Sequence, residues 1–267
     1  NRKRFPKFIR INHSEKKMKR NNDHITMLSN GKPLEPKYLK SYYDMSDAGT
    51  HYDFNSYKDV PGWVNDAEYV YEKAVSQAED GAHFVEIGVL YGQSTTRMAE
   101  LIKKSGKDIK FDAIDIFWGI EHGTKNYLTQ NQPYQFLQYL EQPRFENWTI
   151  MQIVQFPIIH FGLSDYVNFI TCDERYAHRL YDDNSLDFVW IDGDHNEGVV
   201  YNDLVNFWPK LKSGAMIAGD DMKSPGVYRD VQTFIDDNDL RDYYNPTPLN
   251  IGKDGINQSN GFRIIKK

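Results

Sequence analysis

Two short stretches of this sequence concentrate groups that can hold a cation and move a proton. IDGDHNEG (Ile191–Gly198) offers Asp192, Asp194 and His195, and AGDDM (Ala218–Met222) offers Asp220 and Asp221. Carboxylates gathered this way repel one another unless a positive charge sits among them. An oxygen-rich set suits a hard cation, Mg2+ or Mn2+, which keeps water or substrate oxygens in its remaining positions. Capping the following helix would need one acid, not four and a histidine. Asp192, Asp220 and Asp221 are therefore the expected metal ligands. His195 is the expected general base, because neutral imidazole accepts a proton near pH 7 more readily than a carboxylate beside a metal; Asp194 is the alternative.

A second constellation lies upstream in FVEIGVLYGQS (Phe84–Ser94), where an acid and two glycines, Glu86, Gly88 and Gly92, separate an apolar run from a helical pattern. Glycines there let the backbone turn and approach a ligand closely. The spacing is wider than the G-x-G-x-x-G of dinucleotide folds, and Glu86 would repel a pyrophosphate, which argues against a nicotinamide oxidoreductase. A carboxylate at Glu86 suits a cationic amino group instead. Asp115 ends the next apolar run, where an acid can accept both hydroxyls of a ribose.

These residues need elements to position them. HFVEI (83–87), KFDAID (110–115), VNFITC (167–172), LDFVWID (186–192) and AMIAG (215–219) read as strands. Between them run helical patterns: Ala67, Val70, Tyr71, Ala74 and Ala78 on one face, Thr95, Met98, Ala99 and Ile102 on another. Val200, Leu204 and Trp208 form a third face, and 227–235 a further helix. Two strands, around 243–249 and 262–265, close the chain without a helix between them. The pattern predicts an α/β fold, a Rossmann-like doubly wound sheet, mostly parallel with an antiparallel C-terminal edge strand. In such sheets ligands bind beyond the carboxyl ends of the strands, and nearly every strand here ends in an acid.

With those motifs in place, the sequence from about residue 65 onward resembles the class I S-adenosylmethionine-dependent methyltransferases. The resemblance implies that Glu86, Gly88, Gly92 and Ser94 hold the methionine part of S-adenosylmethionine. It also implies that Asp115 binds the ribose, that Asp173 lies by the adenine, and that Phe117 or Trp118 stacks on it. Asp192 borders the same cofactor site. D-x-D-H followed by G-D-D is similar to the metal-dependent sugar O-methyltransferases of macrolide and aminocoumarin biosynthesis, and more distantly to catechol-type enzymes. It implies a cation on Asp192, Asp220 and Asp221 that chelates two neighbouring oxygens of a sugar or glycan acceptor. The alternatives are a catechol or phenol O-methyltransferase and a non-catalytic binding module of the same fold.

Composition bounds the rest. The 267 residues include 40% hydrophobic and 26% charged side chains, a globular profile. Mean hydropathy is −0.68, no 18-residue apolar run occurs, and no signal sequence opens the chain, so no membrane span and a cytoplasmic location are expected. One cysteine, Cys172, excludes an internal disulfide and a thiolate zinc site. Residues 1–40 carry 12 Lys+Arg against 3 Asp+Glu, or +9; the remainder carries 20 against 35, or −15. The expected organisation is a basic N-terminal extension or linker at 1–62, partly ordered, then a methyltransferase domain at 63–267 with a lid insertion at 119–141. Within that lid, His122, Tyr127, Tyr134 and Tyr139 are candidate sugar contacts. An acidic body argues against nucleic acid as a partner. A start at Asn1 reads as part of a longer polypeptide, and nothing in the sequence sets the oligomeric state.

Overall fold

Strands buried on both faces carry nearly unbroken apolar runs, and the runs found in the sequence are strands in the structure. This computed structural model describes residues 54–117, 149–246 and 260–267. The strands are β1 (His83–Ile87), β2 (Lys110–Asp115), β3 (Asn168–Thr171), β4 (Leu186–Ile191), β5 (Leu211–Gly219), β6 (Tyr244–Pro246) and β7 (Phe262–Ile265). The helices are α1 (Asn65–Gln77), α2 (Gln93–Ser105), α3 (Ile150–His160), α4 (Glu174–Ala177), α5 (Val199–Phe207) and α6 (Pro225–Asp237). Among the described residues the seven strands form one sheet in the order β3-β2-β1-β4-β5-β7-β6. The pairs from β3 to β5 are parallel, and β7 runs antiparallel to both β5 and β6. The antiparallel C-terminal strand is there as expected, one place in from the edge because β6 adds outside it. The expected lid (119–141), its His122, Tyr127, Tyr134 and Tyr139, and Trp118 lie outside the described residues.

Side chains alternate across the sheet, as strand geometry requires. Phe84, Phe111, Phe188, Trp190 and Met216 enter one core with α1 and α2, while Val85, Ile114, Val189, Ile191 and Ile217 enter the other with α5 and α6. The same alternation sends Glu86, between Val85 and Ile87, to the face under α1 and α2. The expected helical faces are buried except at Ala78, half-buried just past the end of α1, and at Trp208. Trp208 is half-buried because α5 ends at Phe207 and the chain tightens into a 3-10 turn carrying Pro209. Phe207 takes the buried position and Trp208 meets Phe234 edge-on at 5.4 Å.

The segment before α1 packs on this domain, although composition placed it in the extension. Phe54, Tyr57 and Val60 are buried. Tyr57 donates to Glu68 Oε1, Arg97 stacks over the Tyr57 ring at 4.7 Å, and Gln93 Nε2 donates to Val60 O at 2.6 Å. No helix among the described residues is long and apolar enough to cross a membrane.

Candidate active site

Parallel register brings the strand-end residues together. Ile87 pairs with Ile114 and Ile191, Asp115 with Thr171, and Ile191 with Gly219. The residues that follow, Gly88, Asp192 and Asp220, leave the same edge of the sheet, and Asp115 ends on it. Backbone bonds lock this edge: Gly88 N donates to Ile114 O at 2.9 Å and Asp192 N to Ile87 O at 2.8 Å. Gly88 has φ +87°, and a Cβ there would come within 2.0 Å of Asp192 O. Only glycine lets the two loops lie this close.

The loop after β1 is built by its acids. Glu86 is 1% exposed and accepts hydrogen bonds from Ser94 Oγ and Thr95 Oγ1 at 2.6 Å each, and from Tyr71 OH at 3.0 Å. Burial raises its pKa to about 7, against the three hydroxyls that favour the charged form. These three bonds tie β1 to α1 and α2, and Ser94 makes one of them. Asp115 behaves differently. Its Oδ2 accepts from Val89 N at 2.9 Å and Leu90 N at 3.3 Å, and its Oδ1 from Phe117 N at 2.8 Å. An ionised carboxylate has about four acceptor sites, so one remains for a ribose hydroxyl. Asp173 caps α4 by accepting from Arg175 N, and the Arg175 guanidinium grips the same carboxylate and holds its pKa down. Asp173, the residue expected by the adenine, is thus the cap of its own helix.

The acid cluster converges only in part. Asp192, His195 and Asp221 bring one ligand atom each to within 4.8 Å of one another, and they are the group of this kind among the described residues. His195 Nε2 lies 3.1 Å from Asp221 Oδ2 and 3.7 Å from Asp192 Oδ1. The Asp192 contact is beyond hydrogen-bond range and the Asp221 contact is not a hydrogen bond, so this buried nitrogen has no hydrogen-bond partner among the described residues. Asp192 beside it, together with Asp221 and Asp194, pushes the imidazole pKa up against the effect of burial. Burial and Asp221 push the Asp192 carboxyl up in turn.

Asp220 does not join this group. Its Oδ1 turns back to accept Asp221 N at 2.7 Å, and neighbouring residues at a strand end diverge, so one of the two faces His195 and the other does not. Asp194 Oδ1 accepts from Asn196 N at 2.9 Å and Asn196 Nδ2 at 2.7 Å, which ties that oxygen to the turn into α5.

Two residues of the site escaped sequence reasoning. Asn260 donates from Nδ2 to Asp221 Oδ1 at 3.0 Å, accepts Met222 N on its backbone oxygen at 2.6 Å, and accepts Lys223 N on Oδ1 at 3.0 Å. It holds Asp221 in a left-handed conformation, φ +61°, a strain of about 1–3 kcal/mol for a residue with a side chain. Glu174 accepts Asp194 N at 3.1 Å. Neither bond has a local sequence signal.

A seven-stranded sheet with β7 inserted antiparallel beside β5, and a site along the carboxyl edge, defines the class I methyltransferase fold. The chain belongs to the methyltransferase domain family, whose model matches residues 85–222, just over half of the sequence. No curated protein matches it significantly. Among solved structures it is similar to the O-methyltransferase NovP, at 18% identity and TM-score 0.52, over 76% of this chain and 80% of that one. It is also similar to cofactor-bound Rv0187 from MTB, at 14% identity and TM-score 0.51, over 88% of this chain and 99% of that one. At these identities the likeness is one of fold.

Proposed function

We propose that this methyltransferase transfers a methyl group from S-adenosylmethionine to a hydroxyl oxygen of a sugar or glycan, with Mg2+ or Mn2+ as a required cation. The observation that carries the reading is the convergence of Asp192, His195 and Asp221 beside the glycine loop. The donors fit a divalent cation: two carboxylate oxygens and a buried ring nitrogen face a common point, and that nitrogen has no hydrogen bond among the described residues. Asp192 and Asp221 would hold the cation. When bound, it supplies Lewis acidity that lowers the pKa of an acceptor hydroxyl. His195 takes the proton from that hydroxyl, favoured by the carboxylates that stabilise its charged form. Asp115 offers its remaining acceptor site to the ribose, while the loop it stitches together presents Gly88 and Gly92 to the cofactor. Asn260 keeps Asp221 aimed at the site. The preference for a sugar rests on the likeness of D-x-D-H and G-D-D to the sugar O-methyltransferases.

The test is formation of S-adenosylhomocysteine from S-adenosylmethionine with a panel of sugars bearing adjacent hydroxyls, their deoxy analogues and catechols. Turnover on the diols that vanishes after exhaustive dialysis with EDTA and returns with Mn2+ is the expected result. Undiminished turnover without metal, or equal rates on deoxy sugars, would overturn the metal and diol parts. The 3.1 Å contact of His195 with Asp221 also supports a second reading, His195 as a third ligand. Calorimetric Mn2+ binding by His195→Ala decides between them: retained affinity with lost turnover marks a base, and loss of both marks a ligand.

A further inference from the structure

The geometry points to Glu174 as a positioning residue for the loop that carries Asp192 and His195. The inference rests on the reading that this loop performs the chemistry. Glu174 opens α4, directly after β3, while the loop leaves β4; β2 and β1 lie between those strands. Its Oε2 nonetheless reaches across the carboxyl edge to accept Asp194 N at 3.1 Å. The backbone it grips lies midway between Asp192 and His195.

Gly193 supplies an independent observation. A Cβ built there would come within 1.9 Å of Glu174 Oε2, 3.1 Å of its Cδ and 3.6 Å of Ile87 Cγ2. Unlike Gly88, Gly92 and Gly198, Gly193 is not in the left-handed region, so its backbone conformation is open to any residue. What glycine provides at this position is space, and the atom that fills the space is the Glu174 carboxylate. The two residues form a seat and its occupant.

Stability does not explain the arrangement. Glu174 is half-buried, its pKa raised first by burial and further by Asp194, Asp173 and Asp115, and the buried Asp203 has Glu174 as its strongest charged neighbour. Its hydrogen-bond donor among the described residues is the Asp194 N–H. A carboxylate held among like charges by a backbone N–H is an unfavourable way to secure a fold and a specific way to fix one loop. Residues that orient the ligands of a metal typically change its affinity by about 10–100-fold when removed.

The test uses the full chain with Mn2+ and S-adenosylmethionine, and compares Glu174→Ala, Glu174→Gln, Gly193→Ala and the Glu174→Ala/Gly193→Ala pair. Removing the carboxylate should speed hydrogen exchange at the Asp194 amide, raise the Kd for Mn2+ and lower kcat, the last two by about 10-fold or more. Glu174→Gln keeps an acceptor oxygen and should restore all three to within about 3-fold of the parent. Gly193→Ala should reproduce the loss alone, yet add less than about 2-fold to Glu174→Ala, because the clash disappears with the carboxylate.

Unchanged Asp194 exchange and Mn2+ affinity in Glu174→Ala would overturn the inference. So would a Gly193→Ala penalty that persists in full without Glu174, or a loss confined to S-adenosylmethionine affinity. If the parent protein binds no Mn2+, the metal reading fails by itself. Glu174 is then judged on Asp194 exchange and on kcat of the Gln against the Ala variant.

Discussion

The two halves of the carboxyl edge handle acids in opposite ways. Around β1 and β2, Glu86 accepts from three hydroxyls and Asp115 from three backbone N–H groups, so most acceptor sites of each carboxylate go to holding β1, its covering helices and the loop that follows it. Around β4 and β5, Asp192 and Asp221 face a histidine nitrogen without hydrogen-bond geometry, and Asp221 is held in a strained conformation to do so. Hydrogen-bonded acids fix the backbone around them in folding, whereas a buried His195 Nε2 without a hydrogen-bond partner among the described residues, set against two carboxylates, leaves the second half as the part that the proposed cation would complete.

That contrast can be broken most directly at Asp221. Asp221→Ala should lower turnover by at least about 10³-fold while changing the melting temperature little, since the lost Asn260 bond is offset by removal of a repelling charge and no core is touched. A large fall in Tm would place Asp221 with the structural acids instead. Glu86→Ala should do the reverse, lowering stability by about 3 kcal/mol in urea melts through three buried hydroxyls left unpaired. A stability change within about 0.5 kcal/mol would remove it from the structural half.

Asp203 sharpens the comparison, because it is an acid at 2% exposure whose Oδ2 has no hydrogen bond among the described residues. Burial pushes its pKa up to about 8, with Glu174, Asp173, Asp194 and Asp230 adding to the effect. A folded pKa above the unfolded value near 4 means that the folded state holds the proton more tightly, so stability is lost as pH rises from about 4 through about 8. Asp203→Asn should cancel most of that loss and be the more stable protein at pH 8.5 by several kcal/mol, with little gain at pH 4.5. Thermal melts at the two pH values check this, and a gain independent of pH would refute it. The smallest effect is expected at Asp115→Asn, about 10-fold in S-adenosylmethionine affinity by calorimetry, because one ribose bond is weakened while much of the loop stitching survives.

Much of this architecture was legible in the chain. Apolar runs such as LDFVWI and the acids ending them gave the strands and the edge on which the site lies, since strands covered on both faces admit few other residues. The direction of each acid was not legible. Glu86 and Asp115 look alike in sequence, yet one turns under α1 and the other remains at the mouth, a difference set by side-chain alternation and by Tyr71, fifteen residues away. Asp220 and Asp221 are adjacent, and which one faces His195 depends on a left-handed turn held by Asn260. Glu174 reads as an ordinary acid in a first helical turn, because its partner is twenty residues downstream.

Asn260 stands 39 positions after the aspartate it orients, and this distance has a meaning for synthesis. As the chain emerges, β5 presents Met216, Ile217 and Ala218 along a bare edge whose partners, Ile265, Ile264 and Arg263, have not yet been made. At translation rates of about 5–20 residues per second that edge waits roughly 2–10 s, an open template for the wrong neighbour. Asp221 waits as long for its clamp. A nascent chain therefore completes the loop stitched by Asp115 well before Asp221 is oriented, so on the proposed reading ribosome-bound intermediates should capture S-adenosylmethionine before a cation.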